Sequence, residues 1–575
     1  MPDPVATAPV TVRTPHGSVR GERHATGVSF LGIPYAQPPV GVLRFAAPLP
    51  AKPWTDVLDA TSYGPTAQRR PFAEVTTIPE PTVPGASTLN LNVFTPDPSP
   101  AAGLPVLVWI HGGGFVAGSS ASPWYHGRSF NRDGVVLVSL GYRLGIEGFL
   151  HLPDAPDNRG VRDWIAALQW VRDTITCFGG DPAKVTVAGQ SAGGGAVQTL
   201  LATPAAQSLF RAAISVSGAV MEPQDRGAAE AVSRRFEART GVAATAAALQ
   251  DVPDEELLAH QDALTTPGPD ADADARPRVL TLAPFCDGEL IPRPVAEALT
   301  AGGAGADIPL MAGFTAHEFN AVPPPGPIDD PIDGPGGVLV AFGLDAARTR
   351  LFLDTYASYA PRPALLWGQA LTDTVFRGPA LAIAEARARC GRPTWLYQFD
   401  RASTAPGADG MAYHCADLPF AFDLLDADGV TAALGEDPPQ HLADALHAAW
   451  VAFVRDQDPG AFWPRYTAEG RETMRWDVPP RVANDPLRPV REIWAPRPAT
   501  LTGPPQAPPS GAARTQGMTS ESRINWQTGP FAPFSASRTA PRPSYPRWHP
   551  SVDLSRTTRD PTPSSRLSSG GYSAR

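Results

Sequence analysis

Gly189-Gln190-Ser191-Ala192-Gly193 is the stretch on which the reading of this chain turns. Val185-Thr186-Val187-Ala188 ahead of it is strand-like, and Val197, Leu200 and Leu201 behind it recur at helical spacing. A sharp turn between strand and helix makes Gly-x-Ser-x-Gly a nucleophile elbow, which strains the serine backbone and points its hydroxyl into a pocket. Glycines two positions either side remove the Cβ atoms that would clash there. Gly194 and Gly195 carry small residues into the helix, where each weakens helicity by roughly 1 kcal/mol against alanine. Such a cost predicts close packing of the helix against the sheet. A single match of this kind also arises by coincidence, so the rest of the chain has to carry the reading.

The chain has 575 residues, of which 43% are hydrophobic and 18% charged. That is a globular composition, long enough for one large α/β domain or for two or three smaller ones. A net charge of -10 argues against nucleic acid as a partner. There is no run of 18 apolar residues that would predict a membrane span. The start, Met1-Pro2-Asp3-Pro4-Val5-Ala6, does not read as a signal peptide. Cys177, Cys286, Cys390 and Cys415 have no paired spacing and read as reduced thiols. The expectation from these features is a cytoplasmic protein.

Outward from the elbow, strand and helix patterns alternate. Pro105-Val106-Leu107-Val108-Trp109-Ile110 is a continuous apolar run, as in a buried strand of a parallel sheet, and Gly134-Val135-Val136-Leu137-Val138-Ser139-Leu140 reads as the next buried strand. Residues 161–178 form a helix, with Val161, Trp164, Ile165, Leu168, Val171 and Ile175 on one face. Ala212-Ala213-Ile214-Ser215-Val216 is a further strand. The fold class is therefore α/β, with a large mostly parallel central sheet covered by helices on both faces. Residues 9–60 read as an antiparallel β region, within which 30–41 is an ordered, non-helical segment. His111-Gly112-Gly113-Gly114 closes the first apolar strand, and its glycines let backbone N–H groups turn towards a ligand. His111 reads as structural, since no second ligand stands at zinc spacing. Asp270, Asp272 and Asp274 alternate as in a calcium loop, but Ala275 stands where that loop needs glycine, so they read as solvated.

Phe30-Leu31-Gly32-Ile33-Pro34-Tyr35-Ala36-Gln37-Pro38-Pro39-Val40-Gly41 resembles the amino-terminal signature of the type-B carboxylesterase and cholinesterase family. Leu91-Asn92-Val93-Phe94-Thr95-Pro96, His111-Gly112-Gly113-Gly114-Phe115, Tyr142-Arg143-Leu144-Gly145, Phe178-Gly179-Gly180-Asp181-Pro182 and the elbow follow in the family's order. The similarity runs from about residue 9 to about residue 495. It implies an α/β-hydrolase fold and a serine carboxylesterase acting on small uncharged esters, with no cofactor and no metal. It also implies a catalytic triad of Ser191, Glu318 and His414. Glu318 lies in Gly313-Phe314-Thr315-Ala316-His317-Glu318, and His414 in Tyr413-His414-Cys415-Ala416-Asp417. The oxyanion donors would be the amides of Gly113, Gly114 and Ala192, with Ser217 as an auxiliary hydrogen-bonding residue. Asp287 and Asp400 compete with Glu318 for the role of acid.

Three departures from the family pattern matter. Thr88 and Ala67 stand where the family often has a disulfide, which fits a reducing compartment. The segment between them is short and lacks the tryptophan that binds quaternary ammonium in cholinesterases, which argues against choline esters. Cys415 replaces the glycine that usually follows the histidine and could make the site sensitive to oxidation.

The same triad serves acyltransferases and thioesterases, and some relatives use the fold as a non-catalytic binding module; those usually lack the serine. A histidine base in a mild environment would give an activity midpoint at roughly pH 6–7. Residues 339–376 read as a helical roof over the pocket. Residues 1–495 form the hydrolase domain in this reading. From 496 onward Pro, Ser, Thr and Gly dominate, with ten arginines against Glu521, Asp553 and Asp560, and no apolar periodicity survives. That composition predicts a disordered basic tail. Oligomeric state is not legible.

Overall fold

Val106, Val108 and Ile110 pack into one apolar core, and Leu107 and Trp109, which alternate with them, pack into another. In the computed structural model this strand lies in the middle of a sheet buried on both sides, so period-two alternation becomes a continuous apolar run. The structure describes residues 8–68, 70, 77–218, 224–265, 280–301, 305–321, 339, 342–408 and 410–494. The aspartates at 270–274, the proline-rich stretch 323–337 and the tail from 496 fall outside these residues.

The strands are β1 (Pro9–Thr14), β2 (Gly17–His24), β3 (Gly27–Pro34), β4 (Leu58–Asp59), β5 (Asn90–Thr95), β6 (Leu104–Ile110), β7 (Val136–Leu140), β8 (Gly180–Gln190), β9 (Ala212–Val216), β10 (Gln224–Asp225), β11 (Phe285–Cys286), β12 (Leu310–Thr315), β13 (Thr394–Phe399), β14 (Glu472–Trp476) and β15 (Arg481–Asn484). β10 and β11 make a small separate pair, and the others form one sheet in the order β1-β2-β3-β5-β7-β6-β8-β9-β12-β13-β14-β15, with β4 beside β2. From β7 through β14 neighbours run parallel; along this order both flanks are antiparallel, while β4 runs parallel to β2. The sheet is thus mixed around a parallel centre. Segment 30–41, read from sequence only as ordered, supplies most of β3.

The helix Arg159–Thr174 buries Val161, Trp164, Leu168 and Val171 on the first face, followed by the 3-10 turn Ile175–Phe178. The helix Gln440–Asp456 covers the second face with Leu442, Leu446, Trp450 and Phe453. The helix Ala192–Ala202 is buried along its whole length. An added Cβ at Gly193 would lie 2.0 Å from the carbonyl oxygen of Ile110, so only glycine lets this helix sit against β6. The long run 339–376 is not one helix. It contains Ala346–Thr355 and Pro363–Thr372 and ends in the π-helical turn Asp373–Arg377. Arg362 and Pro363 divide it, as a residue before proline disfavours the α region.

The parallel centre aligns strand ends. Ile110 pairs with Gly189, Gln190 with Val216, and Val216 with Gly313. The carboxyl ends of β6, β8, β9 and β12 therefore open side by side, where ligands bind in open α/β sheets.

Candidate active site

Ser191 is the first residue past β8. Its φ of 58° and ψ of -122° lie in a region costly for a side-chain-bearing residue. The turn is held from both sides: Ser191 N donates to Val216 O at 2.9 Å, and Gly195 N donates to Ser191 O at 2.9 Å. The hydroxyl sits at the amino-terminal end of the helix Ala192–Ala202, whose first N–H groups have no intrahelical acceptor.

The glycine turn after β6 reaches the same point. An added Cβ at Gly112 would sit 3.1 Å from the Ser191 Cβ. Gly113 has a φ of 106°, and a Cβ there would meet Ala117 O at 2.2 Å, so the turn admits glycine only. The amides of Gly113, Gly114 and Ala192 donate to no acceptor among the described residues. His111 anchors the turn: its ring stacks on Tyr142 with centroids 4.6 Å apart, and Tyr142 OH donates to His111 O at 3.0 Å. Burial pulls the His111 pKa down to about 4, against the opposing contact with Gly112 O, so the ring is neutral at pH 7.

Glu318 follows β12 and its side chain has no exposed surface. Its two carboxylate oxygens face different partners. Oε1 accepts from Ser217 Oγ at 2.7 Å and from Thr315 N at 2.7 Å. Oε2 accepts from Nδ1 of His414. His414 N also donates to Glu318 O at 3.0 Å, so backbone and side chain dock together. The His414 side chain keeps 18% of its surface exposed. Burial of most of the ring works against protonation, but the neighbouring Cys415 and the Glu318 carboxylate outweigh it and hold the His414 pKa well above the usual imidazole value. Burial raises the Cys415 thiol itself, so that residue is uncharged at neutral pH and Glu318 is the charge that acts. Asp417, fully buried two residues further on, accepts from Tyr397 OH at 2.8 Å. Burial and then the charge of Glu318 push its pKa up to about 7.

The structure thus brings Glu318, His414 and Ser217 into direct contact, with Ser191 and the glycine turn beside them. It does not join Ser191 Oγ to His414: Nε2 of the histidine instead stands 3.1 Å from Nε2 of Gln190. Catalytic hydrogen bonds without substrate are often long or poorly aligned. Gln190, which also donates to Cys415 Sγ at 3.0 Å, was not singled out by the sequence, although it stands inside the elbow motif. Phe319 and Phe376 were missed as well; both rings lie against the imidazole.

The rival carboxylates are occupied elsewhere. Asp400 pairs with Arg475, whose Nη2 lies 2.7 Å from Oδ1. Asp287 accepts from Asn158 Nδ2 at 2.8 Å and from the amides of Glu289 and Ile291 at 2.9 Å. The four cysteines are all free. No helix among the described residues is long and apolar enough to cross a membrane.

Comparison with known proteins gives the family and the fold. A family model described as "Carboxylesterase family" matches residues 8–326 and 362–494. A para-nitrobenzyl esterase of Bacillus subtilis is 36% identical over 493 residues, covering 83% of this chain and 96% of the relative. A phenmedipham hydrolase of Pseudarthrobacter oxydans is 33% identical, covering 80% of this chain and 94% of its own. Among solved structures, a para-nitrobenzyl esterase superposes with a TM-score of 0.73 at 33% identity, covering 84% of this chain and 99% of that one.

Proposed function

The chain belongs to the carboxylesterase family and is a carboxylic ester hydrolase with an α/β-hydrolase fold, and from that premise we propose that it works through Ser191, His414 and Glu318 on small uncharged esters. The observation that carries the proposal is the pairing of the Glu318 carboxylate with Nδ1 of His414 while Ser217 and Thr315 occupy its other oxygen. A carboxylate held this way fixes one imidazole tautomer, with the proton on Nδ1 and the lone pair on Nε2.

A serine hydroxyl is a weak nucleophile until a base takes its proton. Nε2 of His414 receives that proton as Ser191 Oγ attacks the ester carbonyl. The carbonyl oxygen becomes an oxyanion and is met by the amides of Gly113, Gly114 and Ala192. A fixed donor of this kind is worth roughly 3–4 kcal/mol in the transition state. Imidazolium then protonates the leaving alcohol, and the acyl group stays on Ser191. Water enters, gives its proton to the same histidine and releases the acid. Asp417, with its pKa near neutrality, does not add a full second negative charge beside Glu318.

The likeness to a para-nitrobenzyl esterase and to a phenmedipham hydrolase supports small uncharged substrates. Four unpaired cysteines support a reducing, cytoplasmic setting. The test is a panel of p-nitrophenyl esters of increasing acyl length, read with Ser191→Ala and with a serine-directed phosphonate. Ser191→Ala is expected to lower turnover by on the order of 10⁶ with the fold intact. A variant that kept more than a few per cent of activity would sink the assignment.

A further inference from the structure

The ring of His414 has aromatic neighbours on two elements. Phe319, directly after Glu318, packs against it with centroids 5.1 Å apart and planes at 64°. Phe376 meets it at 5.0 Å and 39°, and the two phenylalanines contact each other at 4.8 Å. Phe376 sits on the π-helical turn Asp373–Arg377, and it is 1% exposed. Pro379, just beyond, has no N–H to return to Val375, which favours a widened turn here.

A buried polar ladder fixes that turn. Phe319 N donates to Thr372 Oγ1 at 3.0 Å, and Thr372 Oγ1 donates to Asn320 Oδ1 at 2.8 Å. Asn320 Nδ2 donates to Gln369 Oε1 at 2.9 Å, and Gln369 Nε2 donates to Asp373 Oδ1 at 2.9 Å. Asp373, which is 0% exposed, also accepts from Arg377 at 2.8 Å, Tyr356 OH at 2.7 Å and Trp494 Nε1 at 3.1 Å. Satisfied buried networks rigidify what they hold. Here the ladder joins the segment that carries Glu318 and Phe319 to the turn that carries Phe376.

We propose that Phe376 and Phe319 are positioning residues for His414, that they hold the imidazole and stabilise the imidazolium formed during acyl transfer, and that the Asp373 ladder seats them. The inference rests on the triad reading above. A cation within about 6 Å of an aromatic face is attracted by the ring quadrupole. In the transition state His414 carries a proton taken from Ser191; the rings therefore act where charge develops. The ionisable groups on the elements packed around His414 are Glu318 and His317 after β12, Cys415 and Asp417 on its own turn, Asp400 after β13, and Asp373 with Arg377 on the π-turn. Asp400 pairs with Arg475, and Asp373 and Arg377 neutralise each other. Burial, with the nearby Arg377, lowers the His317 pKa to about 4, leaving that ring uncharged. Glu318 thus provides the strong field, and the rings add to it.

The experiment compares Phe376→Leu, Phe319→Leu and Phe319→Tyr with wild type, using p-nitrophenyl acetate from pH 5 to 9. Leucine removes the ring and keeps most of the volume. Each leucine variant is expected to lose about three- to tenfold in plateau kcat. The rising limb of its pH profile moves down by about half a unit, because imidazolium loses support. KM changes less than kcat, and Phe319→Tyr restores the wild-type midpoint. Phe319 is only half-buried, so its leucine variant carries the test if Phe376→Leu fails to fold. A midpoint that stays put or rises in the leucine variants, with the loss confined to KM, overturns the proposal and makes the rings pocket walls only. Ser191→Ala run in parallel separates the two readings. If it is inactive while the leucine variants keep their midpoint, only the positioning role falls. If it is active, the triad reading falls and this one with it.

Discussion

At the scale of single residues, the acid and the base govern each other. Glu318→Gln keeps shape and volume but puts an amide where the carboxylate selects the tautomer, and it is expected to cost on the order of 10³–10⁴ in turnover. Asp400→Asn and Asp287→Asn are expected to cost less than roughly tenfold, since one faces Arg475 and the other caps a turn near Asn158. Steady-state kinetics on the three purified variants checks this, and a crippled Asp400→Asn beside a mild Glu318→Gln would reassign the acid. The pH dependence follows from the same pair. His414 must be neutral to take a proton, and its pKa is raised overall, with Glu318 as the charge beside it. The rising limb of kcat/KM is therefore displaced above the unperturbed imidazole value of about 6.5. Measured profiles are expected to place it there, and Glu318→Gln to bring the midpoint of the residual activity down. The roughly pH 6–7 expected from a mild environment does not allow for a carboxylate sealed against Nδ1. Ser191, Glu318 and His414 could be proposed from sequence because each sits in a short ordered motif. Sequence did not carry Phe376, which lies 58 residues after Glu318 and 38 before His414, where no local pattern marks a contact.

At the scale of elements, the elbow and the glycine turn are one device built on two neighbouring strands. The Gly193 Cα faces Ile110 O, and an added methyl would also come within 2.9 Å of His111 O. Both atoms are backbone at the root of the glycine turn, so neither yields without moving the donors at Gly113 and Gly114. Gly193→Ala is expected to destabilise the fold by about 3 kcal/mol and to abolish activity in whatever fraction folds. Urea unfolding with an active-site titration checks both. Close packing of this helix was legible from Gly194 and Gly195, because glycine inside a helix is a cost that needs a reason, and a Cβ at Gly194 would meet Val216 O at 2.5 Å. The π-turn was not. Residues 363–377 carry ordinary helical periodicity, and the widening at Asp373 comes from a proline beyond it and from tertiary partners at Tyr356, Gln369 and Trp494. The flanking antiparallel strands were legible as β-rich runs, yet their order in the sheet was not, since strand neighbours are set by contacts far apart in sequence.

At the scale of the whole molecule, we propose that the hydrolase domain ends near residue 495. The last described helix, Arg488–Trp494, buries Val490 and Ile493, and Trp494 Nε1 donates to Asp373. Through Asp373 that helix reaches the turn holding Phe376, so the end of the domain is coupled to the site. Beyond it the chain changes character: ten arginines, abundant Pro, Ser and Thr, and too few apolar residues to build a core. A chain ending at residue 496 is therefore expected to keep the melting temperature and the kcat of the full protein within error. A chain ending at residue 487 loses the buried Ile493, whose side chain is worth about 2–5 kcal/mol, together with the half-buried Trp494. It is expected to melt several degrees lower and to lose turnover as Asp373 is left with one partner fewer. Differential scanning calorimetry and p-nitrophenyl acetate kinetics on the two truncations read both effects. If the longer truncation already melts low or aggregates, the segment after 496 packs on the body and the boundary lies further along the chain. If the shorter one behaves like the full protein, the final helix carries no stability, and the link from Trp494 through Asp373 to the histidine has no energetic content.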